Sequence, residues 1–360
     1  MRSRAPATAI VTEGFVLTMS SILHNEIHEQ PAALRSALSE GRGPVGALVE
    51  AIKARDVRYL VIAARGTSDH AATYAQYLFQ IVCGKPVALA APSVHTLFEA
   101  KVDYKDALVI GISQSGAGED VNAVISDARE AGALTAAITN TPDSALAGIA
   151  EHVLFCNAGV EKAVAATKTY TTTLALLALL AGTWAEHADL LAGLERIDEA
   201  ADRTLTGAET KIIPLAQTLF HAERLLSVAR GLHLCTAAEA ALKIAETTYT
   251  ATQSFSSADL LHGPIASVPS QTPCLLFSPN GKTSAVMGEL ADKLRDRGAR
   301  VVRFAADAAD DDIPLTDPGT ELLSPVVDIL PAQLLAYHLT VARGLDPDNP
   351  RGLSKVTVTR

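Results

Sequence analysis

The sequence predicts an α/β protein of two tandem doubly wound domains, each an αβα sandwich around a parallel sheet. Three observations carry that prediction. Short apolar runs of four to six residues alternate with helical stretches, the pattern of βαβ units whose strands are buried on both faces. The landmarks of one half recur in the other at a nearly fixed offset. The chain, 360 residues long with 48% hydrophobic and 19% charged residues, is long enough for two cores of ordinary size.

Taken in order, the first strand is predicted within Tyr59-Leu-Val-Ile-Ala-Ala-Arg-Gly66, and its counterpart within Arg224-Leu-Leu-Ser-Val-Ala-Arg-Gly231, with Arg65 and Arg230 separated by 165 residues. Both run into alanine-rich helices. The next strand, Ala107 to Ser113, matches Pro273 to Ser278, and both the closing serines and the glycines Gly116 and Gly281 keep the offset of 165. An amphipathic helix follows each and is closed by Gly132 or Gly298. A further apolar strand follows, 134–138 or 300–304, where the offset of 166 marks a one-residue insertion. Four landmarks at this spacing indicate duplication. The implied organisation is an N-terminal extension and helical arm at 1–45, a first domain at 46–200, a second at 211–345 and a polar tail at 346–360, with the linker in the region of Thr204 to Pro214.

Composition narrows the partners. A formal net charge of −10 leaves no field of Lys and Arg for nucleic acid or an anionic membrane surface, so an anionic ligand must be held locally. Cys83, Cys156, Cys235 and Cys274 form no CxxC pair, which fits reduced thiols in a cytoplasmic protein and implies neither a disulfide framework nor a zinc knuckle. The most apolar stretch, Leu174 to Trp184, is too short for the roughly 20 residues that span a bilayer and reads as a buried helix. Residues 1–18 lack the sustained apolar region of a secretory leader.

Ligands of open parallel sheets bind outside the carboxyl ends of strands, at the turns into helices. Two such turns in the first half are rich in hydroxyls: Gly66-Thr67-Ser68, and Ser113-Gln114-Ser115-Gly116-Ala117-Gly118. Backbone N–H groups, hydroxyls and a helix N-terminus together suit a phosphate monoester held without metal. The same residues also suit plain N-caps in tight turns. Neither a Walker A ending nor GxGxxG is present, which disfavours nucleotides. The second-half turn, Ser278-Pro279-Asn280-Gly281, has lost a donor and hydroxyls, so the phosphate is assigned to the first half.

The second half carries Glu239, Lys243 and Glu246 at i, i+4 and i+7 on one helix face, in a context of Ala, Leu, Ile and Thr. A solvated salt-bridge face would show the same spacing. Sixteen residues on stands His262-Gly-Pro, a turn histidine that a structural role would equally explain. The closing Asn349-Pro-Arg351-Gly-Leu-Ser-Lys355 reads as a polar terminus.

Together, Glu26-Ile-His-Glu-Gln-Pro31, Ser113-Gln-Ser-Gly116, Val164-Ala-Ala-Thr-Lys168, Ala241-Leu-Lys-Ile-Ala-Glu246, Leu261-His-Gly-Pro264 and Pro350-Arg-Gly-Leu-Ser-Lys355 resemble the paired SIS (sugar isomerase) domains of glucosamine-6-phosphate synthase and its glutaminase-free relatives, over nearly the whole chain. The resemblance implies two flavodoxin-like SIS domains, an amino-sugar 6-phosphate as substrate, no cofactor and no metal. With no cysteine before Cys83 to match a glutaminase nucleophile, and with a closing segment like theirs, the chain is most similar to SIS-type glucosamine-6-phosphate deaminases. The resemblance makes His262 the ring-opening proton shuttle and Glu246 the C1–C2 base. It matches Lys355 to a Schiff-base lysine, with Lys243, Glu239 and Arg351 tuning charge and closing the pocket. It gives Thr67, Ser68, Ser113, Gln114 and Ser115 the phosphate and sugar contacts, and Val164 and Ala165 a backbone role beside the sugar. It also implies a homodimer in which His262 crosses the interface. Gly118 and Ala117 stand where the synthase has a phosphate-binding threonine and a glutamate. The alternatives are an isomerase or deglycase for another sugar phosphate, and a non-catalytic sugar-phosphate sensor.

Overall fold

The computed structural model describes residues 21–355, so the expectations for residues 1–18 and for the segment after Lys355 lie outside the described residues. Two five-stranded parallel sheets form the frame. The first contains β1 (Tyr59–Ala63), β2 (Val87–Leu89), β3 (Ala107–Ile112), β4 (Leu134–Thr139) and β5 (His152–Phe155), in the order β2-β1-β3-β4-β5. The second contains β6 (Arg224–Ala229), β7 (Ala251–Ser256), β8 (Pro273–Ser278), β9 (Arg300–Ala305) and β10 (Ile313–Pro314), in the order β10-β9-β8-β6-β7. Read from the other edge, this is the order of the first sheet, so the duplication predicted from spacing is a duplication of topology. Every residue of β3 and of β8 is buried, which is why both read as unbroken apolar runs.

Apolar side chains of both halves merge into one inner core that contains Leu60 and Ile110 of the first sheet and Leu275 and Phe304 of the second. Smaller clusters cover the outer face of each sheet. Helices Thr67–Cys83 and Leu234–Thr248 face each other inside this shared layer. Each follows the first strand of its half, and their contact carries second-half side chains to the first-half turns.

The expected linker at Thr204 to Pro214 is the interior of a helix, Ile197–Thr218. Its buried Ile197, Ala201, Thr204, Leu205, Ala208 and Ile212 repeat at helical spacing, so packing sustains the helix through Pro214. The stretch Leu174 to Trp184 lies within a helix, Lys168–Trp184, whose residues are buried through Gly182. A second stretch, Glu321–Ala342, has the length and composition of a membrane span, but 89% of its apolar window is buried inside the protein, as expected of a core helix.

Candidate active site

A cavity of about 360 Å³ opens where the carboxyl ends of β1 and β3 meet the Leu234–Thr248 helix. Thr67, Ser68, Ser113, Gln114 and Ser115 line one part of it, and Lys243, Glu246 and Lys355 another; Val164 lines it as well. This position is the switch point of the first sheet, where β2 and β3 diverge to either side of β1.

Local backbone chemistry shapes the hydroxyl-rich wall. Gly66 leads into its helix with φ of 55°, a left-handed conformation that glycine adopts without strain. Gly116 has φ of 62°, and a Cβ there would lie 2.3 Å from Ser144 Oγ, so both conformation and space require glycine. The Ser113 hydroxyl accepts from the Gly116 N–H at 3.1 Å, and Ser115 Oγ accepts from the Ala117 N–H at 3.3 Å. The Gln114 carbonyl accepts from the Thr139 and Thr141 hydroxyls, fastening the turn to the end of β4. The helix Glu119–Glu130 that follows carries acidic residues in its first turn, and Asp120 bonds Arg65 Nε at 2.7 Å. This wall thus presents serine hydroxyls and Arg65, the latter already paired with Asp120, beside a helix start whose own acidic residues oppose its dipole.

The opposite wall is a buried charge network. Lys243 Nζ lies 2.7 Å from Glu246 Oε2, 3.4 Å from Glu239 Oε1 and 3.1 Å from Thr67 Oγ1. Thr67 donates to Glu239 Oε1 at 3.1 Å, and His70 Nδ1 lies 2.7 Å from Glu239 Oε2. Burial alone would raise the Glu239 pKa, but the Lys243 charge and the bonds from His70 and Thr67 outweigh it, and the carboxyl titrates below the ordinary glutamate range. Burial likewise opposes the Lys243 charge, yet Glu239 and Glu246 win and hold it above the ordinary lysine value. Charged Lys243 thus stays beside Glu246 while Glu239 is sealed behind it, fully buried. The i, i+4, i+7 charges are therefore not a solvated face: Glu239 is sealed, while Lys243 and Glu246 line the cavity. Thr67 lines the cavity, but its hydroxyl is committed to the Glu239–Lys243 pair.

Lys355 reaches the cavity from the C-terminal tail and pairs with Glu161 Oε2 at 2.7 Å, across 194 residues of sequence. Glu161 is buried and accepts the Thr167 and Thr169 N–H groups and the Thr169 hydroxyl. Burial would raise its pKa, but Lys355 and those donors hold it below the ordinary range. Glu161 was not among the residues singled out from the sequence, since an isolated glutamate in a loop carries no local signal. Arg65 was read only as a repeat landmark.

Besides the sealed Glu239, three expected residues lie outside the cavity wall. Ala165 is buried beneath the loop, while Val164 and Ala166 on either side of it line the cavity. The Arg351 guanidinium stacks 4.2 Å above the Tyr249 ring, and the backbone N–H of Arg351 donates to the Tyr249 hydroxyl, so the residue braces the tail. His262 caps the short Ser257–Leu261 helix, is exposed, and is absent from the cavity wall of this chain.

A family model described as SIS domain matches residues 54–182 and 218–343. The chain is 37% identical over 350 residues to a glutamine–fructose-6-phosphate aminotransferase (isomerizing) of Thermococcus kodakarensis, an alignment covering 92% of this chain and 57% of that protein. The chain thus spans little more than half the length of that relative. A protein of Silicibacter pomeroyi described as a phosphosugar isomerase superposes with a TM-score of 0.85 at 32% identity, covering 91% of this chain and 100% of the other. A glucosamine-6-phosphate deaminase of Thermotoga maritima superposes with a TM-score of 0.76 over 94% of this chain and all of its own; at 21% identity this likeness is one of fold alone.

Proposed function

The chain belongs to the SIS domain family, and from that premise we propose that it is an enzyme deaminating glucosamine 6-phosphate to fructose 6-phosphate and ammonia. The single observation that carries this reading is that one cavity holds both Ser68, Ser113, Gln114 and Ser115 and the pair Lys243–Glu246. A phosphoryl group at the hydroxyl-rich wall directs C1 and C2 of the opened sugar toward Glu246. That carboxylate takes the C2 proton and returns it to C1, converting the 2-amino aldose through an enolamine into a 2-imine. Water adds to the imine carbon and ammonia leaves, so the balance is sugar plus water to ketose plus ammonia. Lys243 holds positive charge beside Glu246 and Glu239 keeps Lys243 in place. Lys355, held by Glu161, reaches the same space for contact or imine formation with the ketose. The four cysteines are free thiols, in keeping with a cytoplasmic enzyme.

Purified protein given glucosamine 6-phosphate is expected to release ammonia and fructose 6-phosphate in equal amounts, measured by coupled assays. Absence of both products sinks the reading. The identity to the Thermococcus aminotransferase favours a second reading, the same site run toward amination; amino-sugar formation from fructose 6-phosphate with ammonia or glutamine, without net deamination, would support it instead.

The proposal includes a homodimer, because His262 must reach the site from a second copy. Refolding an equal mixture of Glu246→Gln and His262→Asn chains is expected to restore about a quarter of the unaltered activity, since half the dimers are mixed and each then has one intact site. No recovery would place His262 in its own chain's site, and full activity of the His262→Asn chain by itself would place it outside the reaction.

A further inference from the structure

Among the described residues, one group of metal-ligating side chains stands outside the cavity. His24 and His28 lie four residues apart on the arm helix Ile22–His28, and the connector helix Ile197–Thr218 brings Glu209 against them. Their ligand atoms all lie within 4.8 Å of one another, with His24 Nε2 2.8 Å from Glu209 Oε1 and His28 Nε2 3.3 Å from Oε2. His338, from the Leu330–Ala342 helix, sets its Nε2 2.8 Å from the same Oε1. The Tyr337 ring packs 4.6 Å from His24 and covers one side of the group.

We propose that His24, His28 and Glu209 form a binding site for a divalent transition-metal ion of the zinc class, with His338 orienting the carboxylate. Two histidines at i and i+4 present both imidazoles to one point. Two nitrogens and one carboxylate oxygen are a borderline donor set that selects zinc-type ions over magnesium or calcium. Bonds of about 2.0–2.2 Å to a four-coordinate ion place the donor atoms a little over 3 Å apart, so small rotations of the rings suffice. The group consists largely of half-exposed side chains, which leaves an entry path and a fourth position for water.

The ion would fasten the arm to the connector, and the arm also holds two segments of the cavity wall. Glu26, between the two histidines, accepts the Lys162 and Ala163 N–H groups at the base of the loop that carries Val164 and Ala166. Asp348, seven residues before Lys355, caps the other end of the helix by accepting the Ile22 and Leu23 N–H groups. Metal at this helix face therefore stiffens the mounting of the loop and the tail without touching the substrate.

The test uses the full chain, stripped with chelator and titrated with Zn²⁺ by calorimetry, with bound metal counted by elemental analysis. The expected result is one ion per chain, weakened on the order of 100-fold or more in the His24→Ala/His28→Ala double variant, beyond what loss of a supporting residue alone causes. Binding weaker than roughly 100 µM, or one unaffected by the double variant, overturns the site and leaves a hydrogen-bonded histidine–carboxylate cluster. Should the double variant not fold, Co²⁺ added to the unaltered chain decides: one equivalent develops the strong visible absorption of a four-coordinate ion, and its absence overturns the proposal. Neither readout depends on deaminase activity.

Discussion

Replacing Glu246 by Gln is expected to lower turnover by roughly 10²–10⁴-fold, the range over which a positioned general base contributes. The substitution keeps the shape and removes only the basicity. Glu246 is also the less buried of the two carboxylates paired with Lys243, with 23% of its side chain exposed against none for Glu239. Lys243 retains Glu239 and Thr67 in the variant, so thermal stability is expected to change little. Two measurements separate chemistry from binding. Exchange of the C2 hydrogen of glucosamine 6-phosphate with deuterated solvent should fall with turnover, while inhibition by a non-reacting sugar phosphate should persist, because Ser68, Ser113 and Ser115 are untouched. Retained exchange in Glu246→Gln would move the proton transfer to another group and remove the centre of the proposed mechanism.

Lys243→Met is expected to destabilise the fold by about 3–5 kcal/mol, the cost of breaking a buried ion pair from one side. It leaves Glu239, fully buried, with His70 and Thr67 but without the positive charge that offsets its desolvation. The fall in Tm should be on the order of 10 °C for a domain of this size. The double variant Lys243→Met/Glu239→Gln should recover much of that loss by removing the stranded charge, and should remain inactive because nothing then holds positive charge beside Glu246. If Lys243→Met melts like the unaltered chain, the network is weaker than its geometry implies. If the double variant is as unstable as the single one, the loss came from packing of the lysine stem.

The central strands were legible because a parallel strand covered on both faces is mostly apolar, and that signature is local: β1, β3, β4, β6, β8 and β9 all fall on predominantly apolar runs. The edge strands gave no such signal. β2 and β10 have three and two residues, and β7 reads Ala-Thr-Gln-Ser-Phe-Ser, because an edge strand needs fewer apolar neighbours. The connector helix was hidden by its proline and by polar residues that face solvent on one side only. At the site, motif and spacing singled out Glu239, Lys243 and Glu246, but spacing on one helix could not rank them.

The sequence by itself determined the hydroxyl-rich turns and the helix that carries the paired charges, since each follows from residues within a few turns of one another, and the duplicated α/β architecture, since such local patterns recur at one offset. Only the tertiary structure decided that these turns and that helix share a cavity, that Glu161 holds Lys355, that Glu239 is sealed behind Lys243, and that His262 stands outside. The reason is physical: the pairings are set by how two sheets pack across a common apolar layer, and the contacts that fix them join residues more than a hundred positions apart.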